Sequence, residues 1–358
     1  MYCTTCLLLF SMVSRGNIWR VNNNSNYDGT NNFGENYGGT ALRPVYKQLG
    51  QATALSNTKV QNGDTIHLEG SPLTYSNPGN ISKKLVIIGA GYFLSENPNT
   101  SSDNYPSRVT NMNFAAGSGG SKIMGVWANI IDVSTSNISI SRCRIDLHAQ
   151  LANGISDVFI IGNYFSDSIT PASSCIVMGT TGAPAGLIVK NNIIKKPLIL
   201  QSVSGSGTIT GIISDCSNNV FDCLPGNNII FDVAECHNNI IRSAGLIVQV
   251  STSNPSGISH NSSNNSSDLL GEALNNNIQV DMNTLFVANG SSDGRYKLNA
   301  GSAAGNDGTE RGVFGSASIA SRYSLSGLAP IPVIYNLQAT GDGGPSGIQV
   351  NINARIIN

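Results

Sequence analysis

Charge is scarce in this chain. Only 11% of its 358 residues are Asp, Glu, Lys or Arg, and 20 cations against 21 acids leave a formal net charge of −1. So even a balance argues against nucleic acid or an anionic membrane as the principal partner, because neither would be drawn by a long-range field. Long apolar runs are missing too: none nears the roughly 20 residues that a membrane-crossing helix needs. The chain carries no phosphate-binding loop, no redox motif and no nucleophile with its base at a recognisable spacing. His67, His237 and His260 are too scattered for a metal centre. What is plentiful is Gly, 39 residues of it, together with Asn and a 40% hydrophobic fraction. That balance disfavours helices and suits short strands joined by turns, in one elongated domain.

One short phrase is written five times. It stands at 138–145 (ISISRCRI), 158–165 (VFIIGNYF), 187–194 (LIVKNNII), 214–221 (SDCSNNVF) and 234–241 (AECHNNII). Aligned on Cys143, Asn163, Asn192, Asn219 and Asn239, the copies are spaced by 20, 29, 27 and 20 residues. Strand-length repeats at such a period predict a solenoid of β-strands. Three residues before the anchor stand Ile140, Ile160, Val189, Cys216 and Cys236, and two after it Ile145, Phe165, Ile194, Phe221 and Ile241. Both columns suit a narrow core. The residue ahead of the anchor is Arg142, Gly162, Asn191, Asn218 or Asn238, mostly types that tolerate positive φ, so a bend is expected there. The anchors Asn163, Asn192, Asn219 and Asn239 are then expected to point inward and form an amide ladder at the strand spacing of about 4.8 Å.

On these residues the chain resembles the right-handed parallel β-helices of pectin-lyase-like architecture, over roughly residues 40–315, and the NN bend resembles their internal asparagine ladder. The resemblance implies an all-β right-handed solenoid with a short N-terminal capping helix and a C-terminal hairpin tail. It implies little about activity, since that architecture hosts lyases, hydrolases, tailspikes and adhesins. Neither the Asn-Thr-Asp, paired-Asp and Gly-His-Gly motifs of its hydrolases nor the Arg-x-x-Pro-x-x-Arg phrase of its pectate lyases occurs here.

Three regions are expected. Residues 1–16 hold an apolar core at 6–13 (CLLLFSMV) of signal-peptide length, which points to a secreted or cell-surface protein. No Lys or Arg precedes that core and the cleavage site is weak, so packing of the run on the first coil stays open as the other reading. Residues 17–320 are the β-helix domain. In it 44–55 (PVYKQLGQATAL) has Val45, Leu49, Ala52 and Leu55 at helical spacing, a capping helix opened by Pro44. The phrase 60–68 (VQNGDTIHL) resembles the family's opening coil, with Asp64 a turn residue. Residues 95–122 are expected to include a large projecting loop, and 281–303 and 308–315 resemble the closing coil and terminal phrase. Residues 321–358 form the tail, where 329–337 and 347–357 alternate around glycines as a hairpin. Its apolar residues need burial, either on the solenoid's open end or on a partner that drives oligomerisation.

Candidate chemistry centres on Arg144, Asp146 and His148. Strict alternation puts all three on the outer face of one strand, and a cation, an acid and a base together are the equipment of a polysaccharide lyase. Tyr164 aligns with Arg144 one coil on, where it can stack on a sugar or on the guanidinium. The competing reading is a solvated face with an ordinary Arg–Asp pair. A further outer column, Asp146, Ser166, Lys195, Asp222 and Arg242, alternates in sign over its last three members. The stretch 306–310 (NDGTE) has calcium-loop flavour without the oxygen spacing of a true site, so no cofactor is assigned. Cys143, Cys216 and Cys236 fall on inward positions, as buried thiols rather than a disulfide framework. The expectation is a secreted non-catalytic module that binds polysaccharide or a cell-surface glycan, or serves a structural role. The alternative is a lyase or hydrolase of acidic polysaccharide working near Arg144.

Overall fold

The computed structural model describes residues 16–27, 33–167, 174–178, 184–199, 212–223, 229–242, 248–251, 255–264, 275–287, 289–302, 304, 310–315, 322–340 and 348–356. The apolar run at 6–13, and 306–309 of the calcium-like stretch, lie outside them. The chain is all-β: two long sheets of mostly parallel strands, few helices and a C-terminal antiparallel hairpin. Most successive strands alternate between a 13-stranded and an 11-stranded sheet, an arrangement consistent with a β-helix solenoid.

The register follows the repeat columns. Ile140, Ile160, Val189 and Cys216 are paired neighbours in the larger sheet, and Ile145, Phe165, Ile194, Phe221 and Ile241 in the other. All are fully buried in the shared core. Each bend residue takes positive φ, from 52° at Arg142 to 68° at Gly162, and the series runs on through His260 and Asn276. Beneath the bends the amide ladder is present. Asn192 Oδ1 accepts from the Asn163 backbone and side chain, Asn219 Oδ1 from Asn192, and Asn239 Oδ1 from Asn219. Asn261 and Asn277 add two further rungs. Asp64 is the expected turn residue, buried and accepting from the Asn17 and Gln61 backbones and the Trp19 indole.

Several sequence expectations are corrected. The capping helix spans only Leu49–Thr53, because Val45–Tyr46 pairs instead as the outermost strand of the larger sheet; Leu55 is exposed. The loop expected within 95–122 stops short of Arg108–Phe114, a strand that interrupts that stretch, and Lys122 at its end opens the strand Lys122–Met124. Residues 281–303 are not a closing round: they hold the short helix Met282–Leu285, a 3-10 turn at Gly294–Tyr296 and an antiparallel bridge from Phe286 to Leu298.

From there the chain turns back along the outside of the bends as a strap. Arg311, itself buried, donates to the carbonyls of Asn261 and Asn276 and to Ser262 Oγ. Gly312 N–H reaches Asn238 O, and the side chains of Asn191 and Asn218 donate to Gly315 O. Farther on, Arg142 donates to Leu328 O, and Tyr92 bonds Tyr323 and the Ser326 carbonyl. A second apolar core results, in which Val280, Leu285, Tyr296, Val313 and Tyr323 cover the outward residues Tyr164, Ile193, Val220 and Ile240. Gly312 needs its left-handed φ of 78°, and a Cβ there would lie 2.7 Å from Ile240 Cδ1.

The hairpin pairs Pro332–Thr340 with Gln349–Ile356. The Ser102 N–H donates to Ile334 O, which seats it beside the loop ahead of Arg108–Phe114, and its Ile334, Leu337, Val350, Ile352 and Ile356 are exposed where burial was expected.

Candidate functional site

Arg144, Asp146 and His148 lie on the strand Arg144–Leu151, which pairs with Trp127–Val133. The two strands shift register between Ile145 and His148, a bulge that adds one residue to this strand. Ile145, Ala149 and Leu151 nonetheless all face the core, so Arg144 and His148 keep the outer side while Asp146 lies within the bulge. Asp146 is buried at 2% exposure, where its carboxylate accepts from the Trp127 indole at 2.7 Å and from Arg144 Nε at 2.9 Å. Lys196, fully buried, donates to the carbonyls of Asp146 and Leu147 and so satisfies the backbone that the bulge leaves unpaired. Burial pushes its ammonium pKa down. His148 stands past the bulge, its pKa lowered by burial and partly restored by Asp132.

The Arg144 guanidinium lies 3.9 Å from the Trp127 ring centroid and 4.9 Å from that of Phe93. Arg108 stacks on the same indole at 4.7 Å. Such contacts hold a partly desolvated cation by its attraction to the ring faces. Tyr164 is paired beside Arg144 as expected, but it is buried, with Phe93 edge-on at 5.0 Å between the centroids and Tyr92 close by. Its ring packs on the chain's own aromatics instead of standing open to a sugar. The constellation is thus a self-satisfied cluster.

The outer charge column is only partly a ladder. Arg242 pairs with Asp222 at 3.2 Å, whereas Lys195 turns to Asp167 at 2.9 Å. Asp222 also accepts from Tyr296 of the strap at 2.6 Å. The described cysteines are free and buried, and burial pushes the Cys143 and Cys236 thiols up to about 12. Cys216 and Cys236 follow the paired Asp215 and Glu235 in adjacent strands, unbridged. Among the described residues no group of three metal-ligating side chains gathers, and no helix is long and apolar enough to cross a membrane.

A cleft of about 500 Å³ opens between the strap and the hairpin, a place that motif reading did not single out. Lys297, Arg322 and Arg355 line it against one acid, Glu310, with Phe314, Tyr323, Leu325 and Leu328 as its apolar wall. Arg322 and Glu310 are loosely paired at 3.9 Å, and Lys297 Nζ lies 5.8 Å from the Phe314 ring. Arg355 Nε is buried without a hydrogen-bond partner. The one signal in the sequence was indirect: the column after the anchors, Tyr164, Ile193, Val220 and Ile240, is outward yet apolar and so calls for a cover. No family model matches this chain, and neither a curated protein nor a solved structure matches it.

Proposed function

We propose that this chain is a secreted, right-handed parallel β-helix of pectin-lyase-like architecture that binds an acidic glycan without cleaving it, and that the cleft between strap and hairpin is where the glycan sits. The observation that carries the reading is the charge of the cleft, where Lys297, Arg322 and Arg355 stand against the single acid Glu310. A guanidinium is shaped to take a carboxylate through charge-assisted bonds, and Arg322 and Arg355 both present one to this cleft. A flat ring such as Phe314 offers an apolar platform beside those charges, and the cleft's size suits one or two sugar units. Non-cleavage is supported by the Arg144 cluster, since its cation and acid are already engaged with Trp127, Phe93 and each other.

Calorimetric titration with a short oligouronate and with a neutral oligosaccharide of equal length tests this. Only the acidic sugar should bind, and Arg355→Gln should weaken binding about 10- to 100-fold, the worth of one charge-assisted bond. Equal binding of the neutral sugar would sink the assignment. Release of unsaturated product, abolished by Arg144→Ala, would establish a lyase in its place.

A further inference from the structure

The hairpin is amphipathic, and it is turned the wrong way round for a segment that only belongs to its own chain. Its register places Pro332 opposite Ile356, Ile334 opposite Ala354, Leu337 opposite Ile352 and Ala339 opposite Val350. A bulge between Ile334 and Asn336 keeps these residues on one face, and alternation adds Ile348. Every member of that face is apolar and exposed; Leu337 and Ile352, at its centre, are each 56% exposed. The opposite face carries Val333 against Arg355, Asn336 against Asn353, and Gln338 against Asn351. Val333, Asn336 and Arg355 are the half-buried ones. Antiparallel sheets ordinarily pack the apolar face and solvate the polar one, so here the order is inverted.

We infer that this face is a homotypic interface, on which the same face of a second copy of the chain packs. The face bears no charge, and the chain's net charge is −1, so two copies meet without opposing fields. It also lacks aromatic rings, which a sugar-binding face or a membrane-interface belt would carry. A flat row of Ile, Leu and Val is self-complementary: two such rows interdigitate about 10 Å apart, as in a β-sandwich, around a two-fold axis. An eight-residue strand makes the strip about 27 Å long and, with its neighbour, about 10 Å wide. That is small beside the roughly 800 Å² per partner of a standard interface, so the dimer forms and dissociates with concentration.

Sedimentation velocity of the full chain over a wide concentration range tests the inference. The weight-average mass should climb from 37.5 kDa toward twice that value. Ile352→Lys should hold the chain at the lower mass with an unchanged thermal unfolding midpoint, because the hairpin pairs chiefly with itself. Mixing the Ile352→Lys and Ile352→Glu variants should recover the dimer. A wild-type chain that stays monomeric throughout, or a dimer indifferent to Ile352→Lys, overturns the proposal. So does a monomer that co-sediments with phosphatidylcholine vesicles, which would make the face lipid-seeking.

Discussion

Asn219 Oδ1 accepts both the backbone N–H and the side-chain amide of Asn192, at 2.9 and 3.0 Å. In the same plane the Asn219 amide donates to Asn239 Oδ1 and to the Val189 carbonyl. Replacing this one rung by Leu, similar in size, takes these partners from the buried Asn192 N–H and Val189 carbonyl and weakens the bonding of Asn239 Oδ1. At about 1–3 kcal/mol for each buried group left unpaired, Asn219→Leu should cost several kcal/mol. Asn218→Gly keeps the positive φ of the bend and loses only the bond to Gly315 O, so it should cost about 1 kcal/mol. Chemical denaturation of both variants checks the ordering, and equal small losses would refute a cooperative ladder.

Gly312→Ala should loosen the strap. Its new methyl would meet the Ile240 side chain at 2.7 Å on a backbone with φ of 78°. A left-handed residue bearing a Cβ costs about 1–2 kcal/mol before any clash. Proteolysis should then cut near 310–328 first, while far-ultraviolet circular dichroism of the sheets persists. A variant as resistant as the parent would show that the strap contributes little.

Stability should hold a plateau between about pH 6.5 and 9 and fall on both sides. His67 and His148 have pKa values lowered from 6.5, with burial the first cause. Below about pH 6.5 the unfolded chain therefore binds the extra protons, and acid destabilises the fold. On the alkaline side, burial raises the thiol pKa values of Cys143, Cys175, Cys216, Cys223 and Cys236 above their ordinary 9.0. There the unfolded chain loses protons that the folded one keeps, so stability drops as pH rises past about 9. Melting temperatures measured from about pH 5 to 10 test both flanks. A Cys175→Ala variant with an unchanged alkaline slope would remove that thiol from the account.

The repeat was legible because period-two alternation and an Asn bend recur where the same backbone geometry recurs. Asn261 and Asn277 escaped notice for a physical reason. Their rounds set Ser263 and Gln279 where an apolar residue stood before, and His260 takes the place of Gly or Asn at one bend. The expected outer face holds for Arg144 and His148, but Asp146, inside the bulge, is buried against Trp127 and Arg144. Nothing local marks that bulge: the side chain that satisfies it, Lys196, lies 50 residues farther along. The strap was hidden because its residues resembled another round of strands. The three outward apolar residues Ile193, Val220 and Ile240 were the only trace of what would lie over them.

A stack of repeats contacts only its neighbours, so it can assemble round by round as the chain leaves the ribosome. The strap changes that order of events. It ties Asn276, Asn261, Asn238, Asn218, Asn191, Arg142 and Tyr92 into one line, yet its residues follow all of them in sequence. A nascent chain halted before residue 311 has every rung of its ladder but lacks the fastening from Arg311 onward, and Ile193, Val220 and Ile240 have only the partial cover of Val280, Leu285 and Tyr296. Completion of synthesis is thereby written into the surface: only a chain translated through Leu328 can fully hide the row that marks an unfinished one.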